Sequence, residues 1–270
     1  MSEVALIDIR DEDELLTLFM LHQFDAVIHL AGVKAVGESV VNPLKYYDNN
    51  VNGTLTLLKV MQHAKVKTIV FSSSATVYGE TASQRIPETV NRKPTNPYGQ
   101  SKYMVEQILE DLVKSDPAWK IAILRYFNPI GAHPSGLLME NSDNFPNNLM
   151  PLICQVAKGQ RNHLSIFGND YDTPDGTGIR DYIHVTTLTD YHVRALQYLK
   201  NEKTDNLIIV NLGLGVGFSV LDIISAFEHV NNVKIPYKII ERRVGDIAFC
   251  VADNSKMEKL LGNLPEKYPG

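Results

Sequence analysis

Tyr98 and Lys102 stand four residues apart in PTNPYGQSKYMVEQIL, a spacing that puts both side chains on one face of a helix. A lysine cation beside a phenol favours the phenolate and lowers its pKa, which makes a general base usable near neutral pH. The same spacing also describes a solvated pair on a helix flank. Upstream, an apolar segment closes in Phe71-Ser72-Ser73-Ser74. A serine hydroxyl there can hydrogen-bond a substrate oxygen or the phenol, or it can cap a serine-rich turn. Ser74, Tyr98 and Lys102 together make a constellation suited to oxidising a hydroxyl group.

Further residues suit an anionic ligand. Lys34, in Gly32-Val33-Lys34, follows an apolar segment and can reach an anion or a ribose. Arg180, in RDYIH, and Arg242-Arg243, in RRVGD, stand beside carboxylates. A guanidinium fork binds two oxygens of a diphosphate, although surface salt bridges use the same residues. His29, inside AVIHL, reads as a core or loop histidine, and Trp119 as packing.

The elements that must position these groups follow from hydrophobic periodicity. Val4–Ile9 is a short apolar run, and Asp11–Leu21 has helical spacing with Leu15, Leu18 and Phe19 on one face. Ala26–Leu30, Lys67–Ser72 and Ile121–Arg125 read as buried strands, and Asn49–Met61 and Pro97–Lys114 as helices. This alternation predicts a βαβ series on a parallel sheet, whose ligands sit at the C-terminal strand ends. After Asn128 the texture changes. Residues 131–148 and 168–178 are polar, Gly-rich loops that flank a helix over Leu149–Lys158. Leu207–Leu212 is a strand, and Ser219 caps a helix carrying Leu221, Ile224 and Phe227. The expected division is residues 1–128 and 129–270, with some later segments returning to the first domain.

Composition bounds the partners. The 270 residues include 26 Lys plus Arg and 31 Asp plus Glu, a net charge of -5, with 44% apolar residues. That is an ordinary globular composition, and nothing in it asks for nucleic acid. No apolar window is long enough to span a membrane, and the N-terminus does not read as a secretory signal. Cys154 and Cys250 lack ligand or redox spacing and read as free thiols, which suits the cytoplasm. No HxH or HExxH cluster appears, so no metal is expected.

Taken in order, HLAGVKAVGESV, YYDNNVNGT, FSSSATVYG, NPYGQSKYMVEQIL, LRYFNPIGAHPSG, NNLMP, DGTGIRDYIHV and RRVGD cover nearly the whole chain. This ordered set resembles the UDP-glucose 4-epimerase (UDP-galactose 4-epimerase) family of extended short-chain dehydrogenases/reductases. The resemblance implies a Rossmann-like, doubly wound α/β fold with a smaller C-terminal substrate domain. It also implies bound NAD, a UDP-hexose substrate and, for a full-length chain, a homodimer. Tyr98 matches the family's base, Lys102 its partner on the nicotinamide ribose, and Ser74 the serine that helps move the proton. Asp8 and Ile9 match the adenine site. Leu30, Ala31, Gly32, Lys34, Asn49, Ser72 and Tyr126 match the rest of the cofactor wall. Asn128, Asn148, Arg180, Arg243 and Asp246 fall on the UDP side. Cys250 falls beside C2 of the hexose, where a small residue admits an acetamido group and a tyrosine would exclude it.

Against that family the chain lacks the opening βαβ with its glycine-rich turn, about 50 residues by the size of such a unit, and its last helical segment reads as curtailed. It is therefore expected to be a truncated form, with an inactive isoform or fragment as the alternative reading. A 4,6-dehydratase is the enzymatic rival. Its family carries Thr-Asp-Glu where this chain has Ser74-Ala75-Thr76, so the extra acid and base for elimination are missing.

Overall fold

A computed structural model describes residues 3–138, 148–201, 205–243 and 246–263. Val244 and Gly245 of the RRVGD segment, residues 139–147 of the loop at 131–148, and the closing EKYPG lie outside the described residues. In chain order the elements are α1 (Glu12–Leu21), β1 (Val27–His29), α2 (Val36–Val41), α3 (Pro43–Tyr46), a π-helical turn (Tyr47–Asn52), α4 (Gly53–His63), β2 (Thr68–Ser74), α5 (Pro97–Ser115), β3 (Lys120–Tyr126) and β4 (Asn128–Ile130). They continue with α6 (Leu149–Ala157), β5 (Leu164–Phe167), β6 (Ile179–Arg180), β7 (Tyr182–His184), α7 (Val185–Lys200), β8 (Leu207–Leu212), β9 (Phe218–Ser219), α8 (Val220–Asn231), β10 (Tyr237–Ile240), β11 (Phe249–Cys250) and α9 (Ser255–Leu261).

The chain divides into two compact units. The first comprises residues 1–80, 90–125 and 192–210, and the second 81–89, 126–191 and 211–270. A four-stranded sheet in the order β1-β2-β3-β8 organises the first. β1 and β2 pair in parallel, with His29 opposite Phe71, so their C-terminal ends lie side by side. The near-continuous apolar runs of β2 and β3 are what a sheet covered on both faces requires. Leu15 and Phe19 of α1, Leu57, Leu58 and Met61 of α4, and Val105 and Leu109 of α5 pack with Ile69, Phe71, Ile121 and Ile123 around the buried Trp119.

Val4–Ile9 departs from its apolar pattern. Residues 3–8 form no strand, and Val4 and Leu6 are exposed. Instead Asp8 accepts hydrogen bonds from the Arg10 backbone at 2.9 Å and the Arg10 guanidinium at 2.6 Å, which turns the chain directly into α1. The expected helix over 49–61 also splits. Its first part is the π-helical turn, and the α-helix starts only at Gly53.

In the second unit, Ile153 and Val156 of α6, Leu164 and Ile166 of β5, Ile224 of α8 and Ile235 form a core. α8 starts on a capping box. Ser219 Oγ accepts from Asp222 N at 2.9 Å, and the Asp222 carboxylate accepts from Ser219 N at 2.9 Å. Among the described residues no helix is long and apolar enough to cross a membrane, and no cluster of His, Cys, Asp and Glu is placed to hold a metal ion.

His29 ends β1 with its ring buried. Its Nε2 lies 2.8 Å from Thr54 Oγ1, and Thr54 donates its one proton to the Asn50 carbonyl at 2.6 Å. Nε2 therefore carries the imidazole hydrogen. Burial, reinforced by the charge of Lys102, lowers the ring's pKa from 6.5 to about 3. A folded value below the unfolded one contributes stability above pH 6.5 that is lost as pH falls toward 3. His29→Asn keeps a donor for Thr54 and removes the titration. Its denaturant midpoints at neutral and mildly acid pH should lie closer together than those of the parent; an unchanged gap would refute the assignment.

Candidate active site

α5 begins where Asn96 Oδ1 accepts from Gly99 N at 2.9 Å and Pro97 occupies the first turn. Gly99 then allows a close approach. A Cβ at this position would lie 2.7 Å from the Thr76 carbonyl oxygen and 3.1 Å from Pro94 Cβ. The first turn of α5 thus rests on the short 3₁₀ turn Ala75–Val77 that follows β2. This contact brings the Tyr98 phenol beside Ser74, whose hydroxyl lowers the phenol's pKa. Ser74 Oγ already accepts from Thr76 N at 3.2 Å and Thr76 Oγ1 at 2.9 Å, which leaves its own proton for the phenol.

Lys102 is buried one turn further along α5. Its Nζ donates to the Ser72 carbonyl at 2.8 Å and stands 4.9 Å from the centre of the Phe71 ring. Burial lowers the ammonium to about 8, and the Glu106 carboxylate opposes the shift. The expectation that Lys102 depresses the pKa of Tyr98 needs correction. Burial raises the phenol above its ordinary value, and the bond from Ser74 is what pulls it down. The reason is geometric: the ammonium is turned to the strand carbonyl and the aromatic face.

Leu30, Ala31 and Gly32 follow β1 and are exposed. Gly32 has φ +152°, and a Cβ there would lie 2.9 Å from Asn50 Oδ1 and 3.6 Å from Lys102 Nζ. Asn50 clamps this turn. It accepts from Val33 N at 2.8 Å and donates to Val33 O at 3.0 Å and to Ser101 Oγ of α5 at 2.9 Å. Asn49 instead donates to Lys45 O at 3.1 Å. Lys34 is exposed and Ile9 half-buried. The Asp8 carboxylate is exposed, and its hydrogen bonds from Arg10 lower its pKa to about 2.

The remaining candidates belong to the second unit. β11 pairs with β6 so that Cys250 sits opposite Arg180. Arg180 lies 4.0 Å from Asp246, and Arg243 Nε lies 3.1 Å from the same carboxylate. The Arg243 guanidinium also stacks 4.2 Å from the Phe167 ring centre. Cys250 is half-buried, and burial raises its thiol to about 11. Asn128 opens β4 opposite Tyr182, Tyr126 ends β3, and Asn148 is exposed just before α6. The structure therefore joins Ser72, Ser74, Tyr98, Lys102 and Gly32 in one unit, and Arg180, Arg243, Asp246 and Cys250 in the other.

Three residues escaped the sequence reading. Asn50 is one place from the residue selected. Asp181 is buried and accepts from Leu214 N at 2.7 Å, Gly215 N at 2.9 Å and Ala252 N at 3.1 Å. Glu106 is a buried carboxylate four residues after Lys102. Arg125, inside the apolar run of β3, was the available signal for Glu106, because a charge in a buried strand requires a partner.

Residues 2–213 match the model of the NAD dependent epimerase/dehydratase family. A UDP-glucose 4-epimerase of Haemophilus influenzae is 54% identical over 263 residues, 96% of this chain and 77% of that protein. The structure of UDP-glucose 4-epimerase from Bifidobacterium longum in complex with NAD+ and UDP superposes with TM-score 0.92 at 50% identity, covering 98% of this chain and 78% of that one. The Stenotrophomonas maltophila UDP-glucose 4-epimerase, with bound NAD and formylated UDP-arabinopyranose, gives TM-score 0.92 at 47% identity over 96% of this chain and 76% of that one.

Gly99→Ala sets two effects against each other. Alanine gains about 1 kcal/mol of helix propensity, but its Cβ meets a backbone oxygen, and overpacking of this kind costs about 1–3 kcal/mol. The clash should win. Urea denaturation is expected to show a net loss of stability, and a stabilised variant would mean that α5 does not rest on the Thr76 turn.

Proposed function

The chain belongs to the NAD-dependent epimerase/dehydratase family, and on that premise we propose that it reversibly interconverts UDP-glucose and UDP-galactose through oxidation at C4, rotation of the 4-keto sugar and reduction from its other face. The observation that carries this reading is the close seat of the first turn of α5 on the end of β2, which sets Tyr98 beside Ser74 and puts the buried Lys102 on the Ser72 carbonyl one helical turn further. The names and ligands of the similar proteins support it.

The residues present fit the cofactor. The exposed Ala31-Gly32 backbone lacks a side chain where one would crowd Asn50 and approach Lys102, which suits close approach of a ribose. When bound, NAD supplies the hydride acceptor and donor for C4 and a positive charge near the phenol. Asp8 and Ile9 would hold the adenine end. Leu30, Ala31, Gly32, Lys34, Asn49, Ser72 and Tyr126 would line the remainder, and Lys102 would reach the nicotinamide ribose. The first unit is thus the cofactor-binding part and the second mainly the nucleotide-sugar part.

Tyr98 takes the proton of the C4 hydroxyl and later returns it. Its phenol is raised by burial, so the reaction needs help toward phenolate. Ser74 gives that help by donating to the oxygen, while Lys102, still cationic at pH 7 with its pKa near 8, is held at the Ser72 carbonyl and meets the ribose. Asn128, Asn148, Arg180, Arg243 and Asp246 anchor the UDP arm. Binding energy from that arm holds the substrate while the hexose stays free to turn. A homodimer and a cytoplasmic location complete the proposal. The exposed Val40, Val41 and Leu44 of α2 and α3 are apolar surface that such a dimer can cover, and the free Cys154 and Cys250 suit a reducing compartment.

Two substitutions test these assignments in the NAD-loaded protein. Tyr98→Phe should lower kcat by about 100-fold or more, the scale of general base catalysis, while calorimetry shows UDP binding retained. Turnover within about tenfold of the parent, or about 1.4 kcal/mol, would remove Tyr98 as the base. We also propose that Cys250 leaves room for an acetamido group at C2, so that UDP-GlcNAc and UDP-GalNAc are interconverted too. Cys250→Tyr should abolish turnover of that pair and largely spare UDP-galactose. Equal losses in kcat/KM on both sugars would show that Cys250 is not the gate.

A further inference from the structure

Glu106 takes no part in the proton transfers above, yet it is fully buried. Its Oε1 accepts from Ser73 Oγ at 2.5 Å and Arg125 Nε at 2.9 Å, and its Oε2 accepts from Arg125 Nη2 at 2.7 Å and Arg92 Nη1 at 2.9 Å. Ser73 lies on β2 between Ser72, whose carbonyl holds Lys102, and Ser74, which meets Tyr98. One carboxylate therefore joins the helix that carries Tyr98 and Lys102 to the strand that carries Ser72 and Ser74. It also joins both to β3 through Arg125. Arg92 pairs with Glu110 as well, so Arg92, Arg125 and the nearby Lys102 share two carboxylates.

A buried ion pair is a weak source of stability, because desolvation offsets its attraction. This one has a second neighbour that plain packing does not explain, the Lys102 ammonium one helical turn away. We propose that Glu106 is a positioning residue for the Tyr98–Lys102 pair: it fixes the Ser72–Ser74 strand end against α5 through Ser73, and its charge is the counter-ion on which the buried ammonium relies. The groups that face Lys102 allow this. From β1 comes the neutral His29, from β2 the Ser72 carbonyl and the Phe71 ring, and from α5 Glu106; Arg125 of β3 meets the site through Glu106. Burial lowers Lys102 and Glu106 opposes it, so removing the carboxylate lowers Lys102 further. The ammonium then loses its proton at a lower pH.

The kinetic part of this inference rests on the proposed epimerase reading, whereas a titration does not. Lys102 Nζ is followed by NMR as pH rises, in the chain with and without NAD, and kcat is measured against pH in the NAD-loaded protein. In Glu106→Gln the Lys102 midpoint should fall by about one pH unit. The alkaline limb of kcat should fall with it, and KM for UDP-galactose should hold. Glu106→Asp, which keeps the charge, should restore the midpoint. Ser73→Ala keeps every charge and should lower kcat by about tenfold at unchanged KM, a tenth of the loss expected from removing the base. An unchanged Lys102 midpoint in Glu106→Gln overturns the counter-ion role. If that variant does not fold, Ser73→Ala decides the tie between strand and helix, and parental kcat overturns it. A parent without epimerase turnover would end the functional reading and leave the Lys102 titration to judge Glu106.

Discussion

The contact between the first turn of α5 and the end of β2 is the constraint on which the site depends. A helix placed over a strand end normally stands off by the thickness of the side chains between them. Here Gly99 removes that spacer at the point of closest approach. Tyr98 then reaches Ser74, and Lys102 reaches the Ser72 carbonyl, as consequences of one close contact. The Asn96 cap and Pro97 set where the helix begins, so the contact and the start of the helix share a few adjacent residues. Errors in that segment would displace every group at once.

The second unit solves a related problem with charge. Asp181 is a buried carboxylate that gathers three backbone N–H groups from the turn after β8 and from residue 252. Three donors compensate for much of its desolvation, although burial still raises its pKa. Its neighbour Arg180 stands opposite Cys250 across the β6–β11 pair. Interior anions thus occur in both units, Glu106 in one and Asp181 in the other, and each lies next to candidate ligand-binding side chains.

Much of this architecture was legible in the sequence, because it follows from period and punctuation. The runs that became β2, β3 and β8, the Pro97 helix and the Ser219 cap all carry local signals. What escaped were partnerships between residues distant in sequence. No pattern separates Asn49 from Asn50; only the fold turns one toward Lys45 and the other into the Val33 turn. The spacing of Tyr98 and Lys102 showed a shared face but not that the ammonium would turn to Ser72. The apolar run Val4–Ile9 forms no strand, and the hydrogen bonds between Asp8 and Arg10 set a turn at its end.

The π-helical turn at Tyr47–Asn52 acts as a phase shifter. An α-helix rotates about 100° per residue, and a wider turn takes up one extra residue without breaking the helical path. Side chains on either side of it therefore follow two different angular series. Tyr46, before the turn, is directed at Ala35 and Glu38, while Asn50, inside it, is directed at Val33 and Ser101. A regular helix of the same length could not serve both sets from one face. Deleting a single residue in this stretch would thus act like a mis-cut gear, leaving the composition almost unchanged while turning Asn50 away from the loop it clamps. The length of this segment, as much as its residue types, is part of what the site requires.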